Sequence, residues 1–263
     1  VISVENSQAD MNLRVYPGID ASYRMGNAWK VYASYNTSLR MPSFTELFYS
    51  VGGHKADKHL KPEELSALEA GLKYNAHGIS GKTSIFYNQQ KNLIDWISDG
   101  TLDANGSPLW KSVNFGRINV VGVEASLRFD CRTLMPSQRF LKQFSLAYCY
   151  LNQNEKEHKG ITSKYVLEYV KNKMVANLQL NLWRNLDLGL NYRLLQRMGG
   201  YIDKNNQHHK YATYGILDTR LSWNTGKWTA FAAANNLLNR TYVDYGNVPQ
   251  PGTWITAGIS IQM

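Results

Sequence analysis

Four histidines, His54, His59, His208 and His209, are the residues of this chain best suited to metal chemistry, since imidazole ligates both metal ions and haem iron. His208 and His209 are adjacent, and neighbours in an extended segment point to opposite faces, so their rings cannot both be aimed at one ion. They read as solvated loop histidines. Asp99, Asp103 and Asn105 could offer oxygens to calcium, but their spacing lacks the acidic density of a dedicated loop. Cys131 and Cys149 have no spaced His or Cys partner and read as ordinary structural residues. Nothing matches a nucleophile elbow, a phosphate loop or a metal-protease helix, and no Ser, His and acid set stands out. No catalytic residue, metal site or cofactor is therefore expected. The remaining candidates are aromatic: Phe44, Phe48, Tyr49, Trp96, Trp110, Tyr165, Tyr201, Tyr211 and Tyr245. Rigid amphipathic rings can bury a large ligand at small entropy cost.

The elements that must position these rings are strands. In residues 253–263, Ile255, Ala257, Ile259, Ile261 and Met263 fall on one side and Trp254, Thr256, Gly258, Ser260 and Gln262 on the other, which is the two-residue period of a half-buried strand. The rhythm recurs. Residues 12–25 place Leu13, Val15, Pro17, Ile19, Ala21, Tyr23 and Met25 opposite Arg14, Asp20, Ser22 and Arg24, and residues 30–40 return with Val31, Ala33, Tyr35, Thr37 and Leu39 on the apolar side. Further strands are expected at 68–74, 81–97, 111–130, 141–152, 171–183, 186–194, 212–224 and 228–238, with 81–97 the least regular. That makes about eleven strands, long enough to cross a membrane with a tilt, which takes roughly 9–11 residues each.

The connections alternate in length. Gly26-Asn27, His77-Gly78, Arg184-Asn185 and Thr225-Gly226 are tight turns, with residues 131–139 the exception among them; between them lie long loops at 41–61, 98–110, 153–169, 199–211 and 239–252. Short turns on one rim and long loops on the other is the plan of an outer-membrane barrel, with the long loops outside. The chain reads as all-β, part of a transmembrane antiparallel β-barrel. Single-chain bacterial barrels close with even strand numbers, and two long open edges invite aggregation, so the chain is expected to be incomplete.

Composition agrees. The 263 residues include 17 Tyr and 7 Trp but 7 Pro, and the mean hydropathy of −0.41 is what a wall averages to when it shows lipid and water to alternate residues. No run approaches the ~20 apolar residues of a spanning helix, which excludes a helical membrane protein. Val1 does not open a basic segment followed by an apolar one, so any export signal is expected upstream. The net charge of +9 comes from scattered Lys and Arg without a basic run, favouring lipid phosphates or a wet lumen over nucleic acid.

Several segments resemble the C-terminal half of TonB-dependent outer-membrane receptors: SLRMPSFTELF at 38–48, LKPEE at 60–64, NFGRINVVGVEASL at 114–127, NNLLNRTYVDYG at 235–246 and PGTW at 251–254. The resemblance covers nearly all of the chain, residues 1–263, as a single region. It implies a plugged barrel of 22 strands, of which about eleven would be present here. The plug domain, the segment that engages the TonB-type energy transducer and the first half of the barrel would lie outside it. Met263 departs from the pattern, standing where such receptors usually end in Phe or Trp. Within the family, residues 50–64 and 242–254 look most like cobalamin receptors of Bacteroides-type bacteria; haem and ferric-siderophore receptors share the scaffold.

On this reading a ligand is caught by the outer loops, through Phe48, Tyr49, Trp96, Trp110, Tyr165, Tyr201 and Tyr245. The competing role for each ring is the aromatic girdle at the lipid boundary. Arg40, Glu69, Glu124, Arg128, Arg193, Asp218 and Arg220 fall on polar strand faces and should line the lumen, because a charge on the lipid face costs up to ~2–4 kcal/mol at the midplane. Pro42, Pro62 and Pro251 mark ladder ends, and Asn235-Asn236 a strand end. The implied activity is import of a scarce bulky nutrient, with outer-membrane lipid, the plug, the transducer and a surface lipoprotein as partners. A barrel-embedded hydrolase and a passive pore are the alternatives.

Overall fold

Direct cross-strand pairing keeps one face of the wall predominantly apolar from strand to strand. In the computed structural model, which describes residues 15–154, 161–164, 169–202, 207–244 and 248–261, the chain runs β1 (Gly18–Met25), β2 (Trp29–Arg40), α1 (Phe44–Phe48), β3 (His54–Lys55), β4 (Glu63–Ala76), β5 (Ile79–Lys91), β6 (Ile94–Ser98), β7 (Trp110–Asn114), β8 (Arg117–Asp130), α2 (Cys131–Leu134), β9 (Leu141–Gln153), β10 (Thr162–Ser163), β11 (Val170–Trp183), β12 (Leu186–Arg197), β13 (Gly200–Ile202), β14 (His208–Lys210), β15 (Tyr214–Asn224), β16 (Trp228–Asn235) and β17 (Trp254–Ile261). Eleven of these form one antiparallel sheet in the order β1-β2-β4-β5-β8-β9-β11-β12-β15-β16-β17. Each wall strand neighbours the next one along the chain, which is a meander; β1 and β17 are its edges and do not close on each other.

One row shows how the register sorts side chains: Ala21, Ala33, Ala70, Ile85, Val123 and Tyr150 are successive partners from β1 to β9. The adjacent row on the other face runs Asp20, Ser34, Glu69, Phe86, Gly122 and Leu151. Glu69, Glu124, Arg128, Arg193, Asp218 and Arg220 all fall on this second face, as the sequence pattern requires of a lumen. The apolar face stays bare, with Ile259 73% exposed, as a lipid-facing belt must be. At the short-turn rim Trp29 packs tilted against Tyr74 at 4.6 Å and Trp223 meets Trp228 edge-on at 5.3 Å, the arrangement of an interfacial girdle.

The tight turns owe their shape to left-handed residues. Between β4 and β5, His77 and Gly78 take φ of 50° and 76°, the paired positive values of a two-residue hairpin whose twist matches the strands. The longer link after β8 is shaped by α2, whose N-cap Asp130 accepts hydrogen bonds from the backbone of Arg132 and Thr133.

Two expected strands are corrected. Residues 81–97 and 111–130 are each divided, because Asn92 (φ 52°) and Gly116 (φ 89°) turn the chain out of the wall. The Asn114 amide fixes that departure by donating to the carbonyls of Lys61 and Asn92 at 2.9 and 2.8 Å. The released pieces, β6 and β7, join β10 and β3 in a separate sheet of order β10-β6-β7-β3 above the long-loop rim. Most of the buried side chains gather in and beside it: Leu60, Ile94, Trp96, Phe115, Ile118, Asp95, Ser98, Ser112 and Ser163. The first expected strand begins at Gly18, with residues 12–14 outside the described ones, as are Gln262 and Met263.

Candidate functional site

The small outer sheet stitches three long loops into one cap. β6 and β7 form a hairpin, β3 runs parallel to β7 with His54 opposite Trp110, and β10 pairs with β6 so that Ser163 stands opposite Ile97. The β3 approach turns through Gly52 and Gly53, at φ of 59° and 75°, and the Gly53 carbonyl accepts from the Trp110 amide at 2.8 Å. The cap's buried carboxylate, Asp95, accepts from the Trp96 amide at 2.7 Å and makes a short hydrogen bond with the Ser163 hydroxyl, so its desolvation is compensated.

On the cap lies a cationic aromatic cluster. The His54 ring meets Trp96 edge-on at 5.2 Å and Tyr49 at 5.7 Å. Its Nδ1 is 3.1 Å from the Gly52 carbonyl and its Nε2 is 2.7 Å from Lys164 Nζ. A carbonyl can only accept, so Nδ1 carries the proton and the Nε2 lone pair accepts from the ammonium. Lys164 Nζ also sits 4.6 Å above the Trp110 ring, a cation–π contact. Burial lowers the Lys164 pKa from its ordinary value, against the opposing pull of the Asp95 carboxylate.

The helix α1 is docked beside the cap. Ser43 accepts from the Glu46 amide while the Glu46 carboxylate accepts from the Ser43 amide, a complete capping box. Burial pushes the Glu46 carboxyl up, but hydrogen bonds from Arg40 and Ser43 outweigh it and hold the group below its ordinary range. The helix leaves Phe44 and Phe48 exposed, 5.0 Å apart.

Of the rings singled out by sequence, the fold gathers Tyr49, Trp96 and Trp110 around His54 and Lys164. Trp96 is only 6% exposed and belongs to the cap's interior, whereas Tyr49 is exposed and Trp110 half-buried. Phe48 stands apart on α1. Tyr201 forms a second cluster, stacked on His209 at 5.4 Å and 5.7 Å from the buried Tyr211, on the β13–β14 hairpin. Tyr165 and Tyr245 lie outside the described residues. Sequence reasoning missed Asp95, Ser163 and Lys164, which acquire a role only when loops far apart in the chain meet. Asp99 is held by Lys111 at 2.8 Å, which with Thr101 keeps its carboxyl well below the usual range. Asp103 is used by its own loop, accepting from the amides of Asn105 and Ser107. Among the described residues no group of three or more His, Cys, Asp or Glu could hold a metal ion.

An antiparallel meander with a bare apolar face, a charged opposite face, aromatic rings at its short-turn rim and loops gathered at the other rim is the wall of a transmembrane β-barrel. A family model described as TonB dependent receptor-like, beta-barrel matches residues 4–237, and the chain belongs to this family. Members are transport receptors, their barrels sit in the bacterial outer membrane, and the family implies a plug domain and interaction with TonB. The fold is similar to the siderophore receptor PirA from Pseudomonas aeruginosa (TM-score 0.63, 17% identity, 93% of this chain and 39% of that one). It is also similar to the FrpB iron transporter from Neisseria meningitidis (0.66, 16%, 93% and 38%) and to the copper transporter OprC (0.69, 15%, 92% and 38%). The chain thus spans about two-fifths the length of these structures.

Proposed function

We propose that the chain is the C-terminal part of the barrel of an outer-membrane receptor that captures a scarce, bulky nutrient on its outer loops and imports it with energy delivered by a TonB-type transducer. The plug domain and the N-terminal part of the barrel belong to the same receptor. The observation that carries this reading is the cap: three long loops hold Tyr49, Trp110 and Lys164 together on the outer rim, a surface of rings and charge suited to a large amphipathic ligand. Phe48 and Tyr201, with Tyr165 and Tyr245, extend the same role to the neighbouring loops. A surface lipoprotein closing over the rim is part of the proposal.

Cobalamin is the proposed substrate, on the resemblance of residues 50–64 and 242–254 to cobalamin receptors. A ferric siderophore is the second reading. It is favoured by the ammonium of Lys164 lying on the Trp110 indole, which offers charge to an anionic chelate, and by fold neighbours named as siderophore receptors and an iron transporter. Titration calorimetry of the full-length receptor with cyanocobalamin, haem and ferric siderophores decides between them. Saturable binding of cyanocobalamin alone supports the first reading; binding of a ferric siderophore with no heat from cyanocobalamin replaces it with the second.

A further inference from the structure

Four cations occupy one direct cross-strand row on the luminal face: Arg24 stands opposite Lys30, Lys30 opposite Lys73, and Lys73 opposite Lys82. Side chains paired in this way have Cβ atoms roughly 4.5–5.5 Å apart, and like charges placed there destabilise a sheet. The row lies near the short-turn rim, one residue before the end of β1 and one after the start of β2. Tyr32, in the next row outward, takes part of the charge on its ring, with Lys73 and Lys82 Nζ at 5.0 and 5.6 Å from the centroid. Glu69 accepts from the Tyr32 hydroxyl at 2.6 Å and lies 3.2 Å from Lys82. Among the described residues it is the one carboxylate in ion-pair contact with the row. Other wall cations have a carboxylate close by, as Arg40 has Glu63, Lys142 has Asp187 and Arg193 has Asp218.

We propose that this row docks an acidic segment of the polypeptide that fills the lumen, the receptor's own plug. The inference rests on the import reading, which supplies the plug. Charge complementarity carries it: a like-charge row in register is a liability that an opposing anionic surface converts into an attraction. Lipid phosphates do not meet this geometry, because the row is on the face opposite the apolar belt.

The test uses the full-length receptor in planar bilayers, with conductance recorded as urea is raised until the plug lets go. The double variant Lys30→Gln with Lys73→Gln should conduct at a midpoint about 1 M lower than the parent. Raising NaCl from 0.1 to 1 M, which shortens the screening length from about 10 to 3 Å, should bring the parent towards the variant. If the row were merely a repulsive fault, the neutral variant would melt at a higher temperature by far-UV circular dichroism and conduct at the parental urea concentration; that result overturns the proposal. A parent receptor that conducts freely without urea would instead refute the import reading, a distinguishable failure.

Discussion

The Arg40 guanidinium grips the Glu63 carboxylate with two parallel hydrogen bonds of 2.6 Å, and the two residues are direct partners between β2 and β4. The same fork reaches Glu46 of α1 at 3.0 Å, and Glu63 also accepts from the Ile94 amide of β6 at 2.7 Å. The Arg40–Glu63 pair therefore joins the wall, the docked helix and the cap, which is a physical reason for Arg40, Ser43, Glu46 and Glu63 to occur together. Arg40→Ala should release α1 and the β6 start from the wall. With the guanidinium nearly half exposed, the loss is about 1 kcal/mol. Hydrogen exchange of the Leu47 and Ile94 amides in the full-length receptor should quicken roughly fivefold, and Arg40→Lys should restore only part of the protection because an ammonium cannot fork. Unchanged exchange would remove Arg40 from this role.

The same junction should respond to acid. The Glu46 carboxyl is held below its ordinary pKa of 4.5, so its contribution is complete above that value and is lost as pH falls through the lower folded value. Limited proteolysis of residues 41–62 should be flat from pH 7 to 5 and rise below pH 4.5. Glu46→Gln should flatten the profile, and a profile that keeps its slope in that variant would assign the effect elsewhere.

The wall was legible in the sequence because alternation and turn chemistry are local. Residues 12–40 and 253–263 show both faces directly, and the paired register later put Glu69, Glu124 and Asp218 where their neighbours predicted. The cap was not legible. Leu93, Ile94, Trp96 and Ile97 make a nearly continuous apolar run that suits a wall strand and a buried cap strand equally, and only the positive φ of Asn92 divides them. Lys164 carries no local signal at all: its partner His54 is 110 residues away, and loop-to-loop pairing leaves no period to read.

Inside the lumen, aromatic rings lie over glycines on the neighbouring strand. Phe86 covers Gly122, its direct partner, and a Cβ added at Gly122 would come within 2.2 Å of the ring. Gly122→Ala must therefore push the ring aside, costing about 1–3 kcal/mol. In a Phe86→Ala background the same substitution should cost far less, and urea unfolding of the four receptors in the cycle gives the coupling. Additive losses would mean the ring has room to move.

The assignment of faces predicts opposite outcomes for near neighbours. Ala70 stands between Ala33 and Ile85 in the apolar belt, while Ala67 faces the lumen between Asn36 and Asn88. Ala70→Arg should reduce barrel stability by ~2–4 kcal/mol, the cost of a charge near the bilayer midplane, and Ala67→Arg should be nearly silent. Heat-modified gel mobility and urea unfolding in lipid vesicles read both. The reverse ranking would invert the wall.

Trp96 and Trp110 separate the cap's support from its binding surface. Trp96 is 6% exposed, under the His54 ring, and removing a buried indole typically costs 3–5 kcal/mol, enough to open a small sheet. Trp96→Ala should therefore abolish exchange protection at the Ser112 amide and weaken ligand binding together. Trp110 is half-buried, with Lys164 on its face, and Tyr49 is exposed beside the His54 ring. Trp110→Ala and Tyr49→Ala should each weaken binding of the receptor's ligand by tenfold or more, about 1.4 kcal/mol, while Ser112 stays protected. Affinity that falls only when protection falls would make the cap a scaffold alone and shift ligand contact to the other loops, starting with Tyr201. Affinity lost with protection intact places the ligand on the face formed by Tyr49, Trp110 and Lys164.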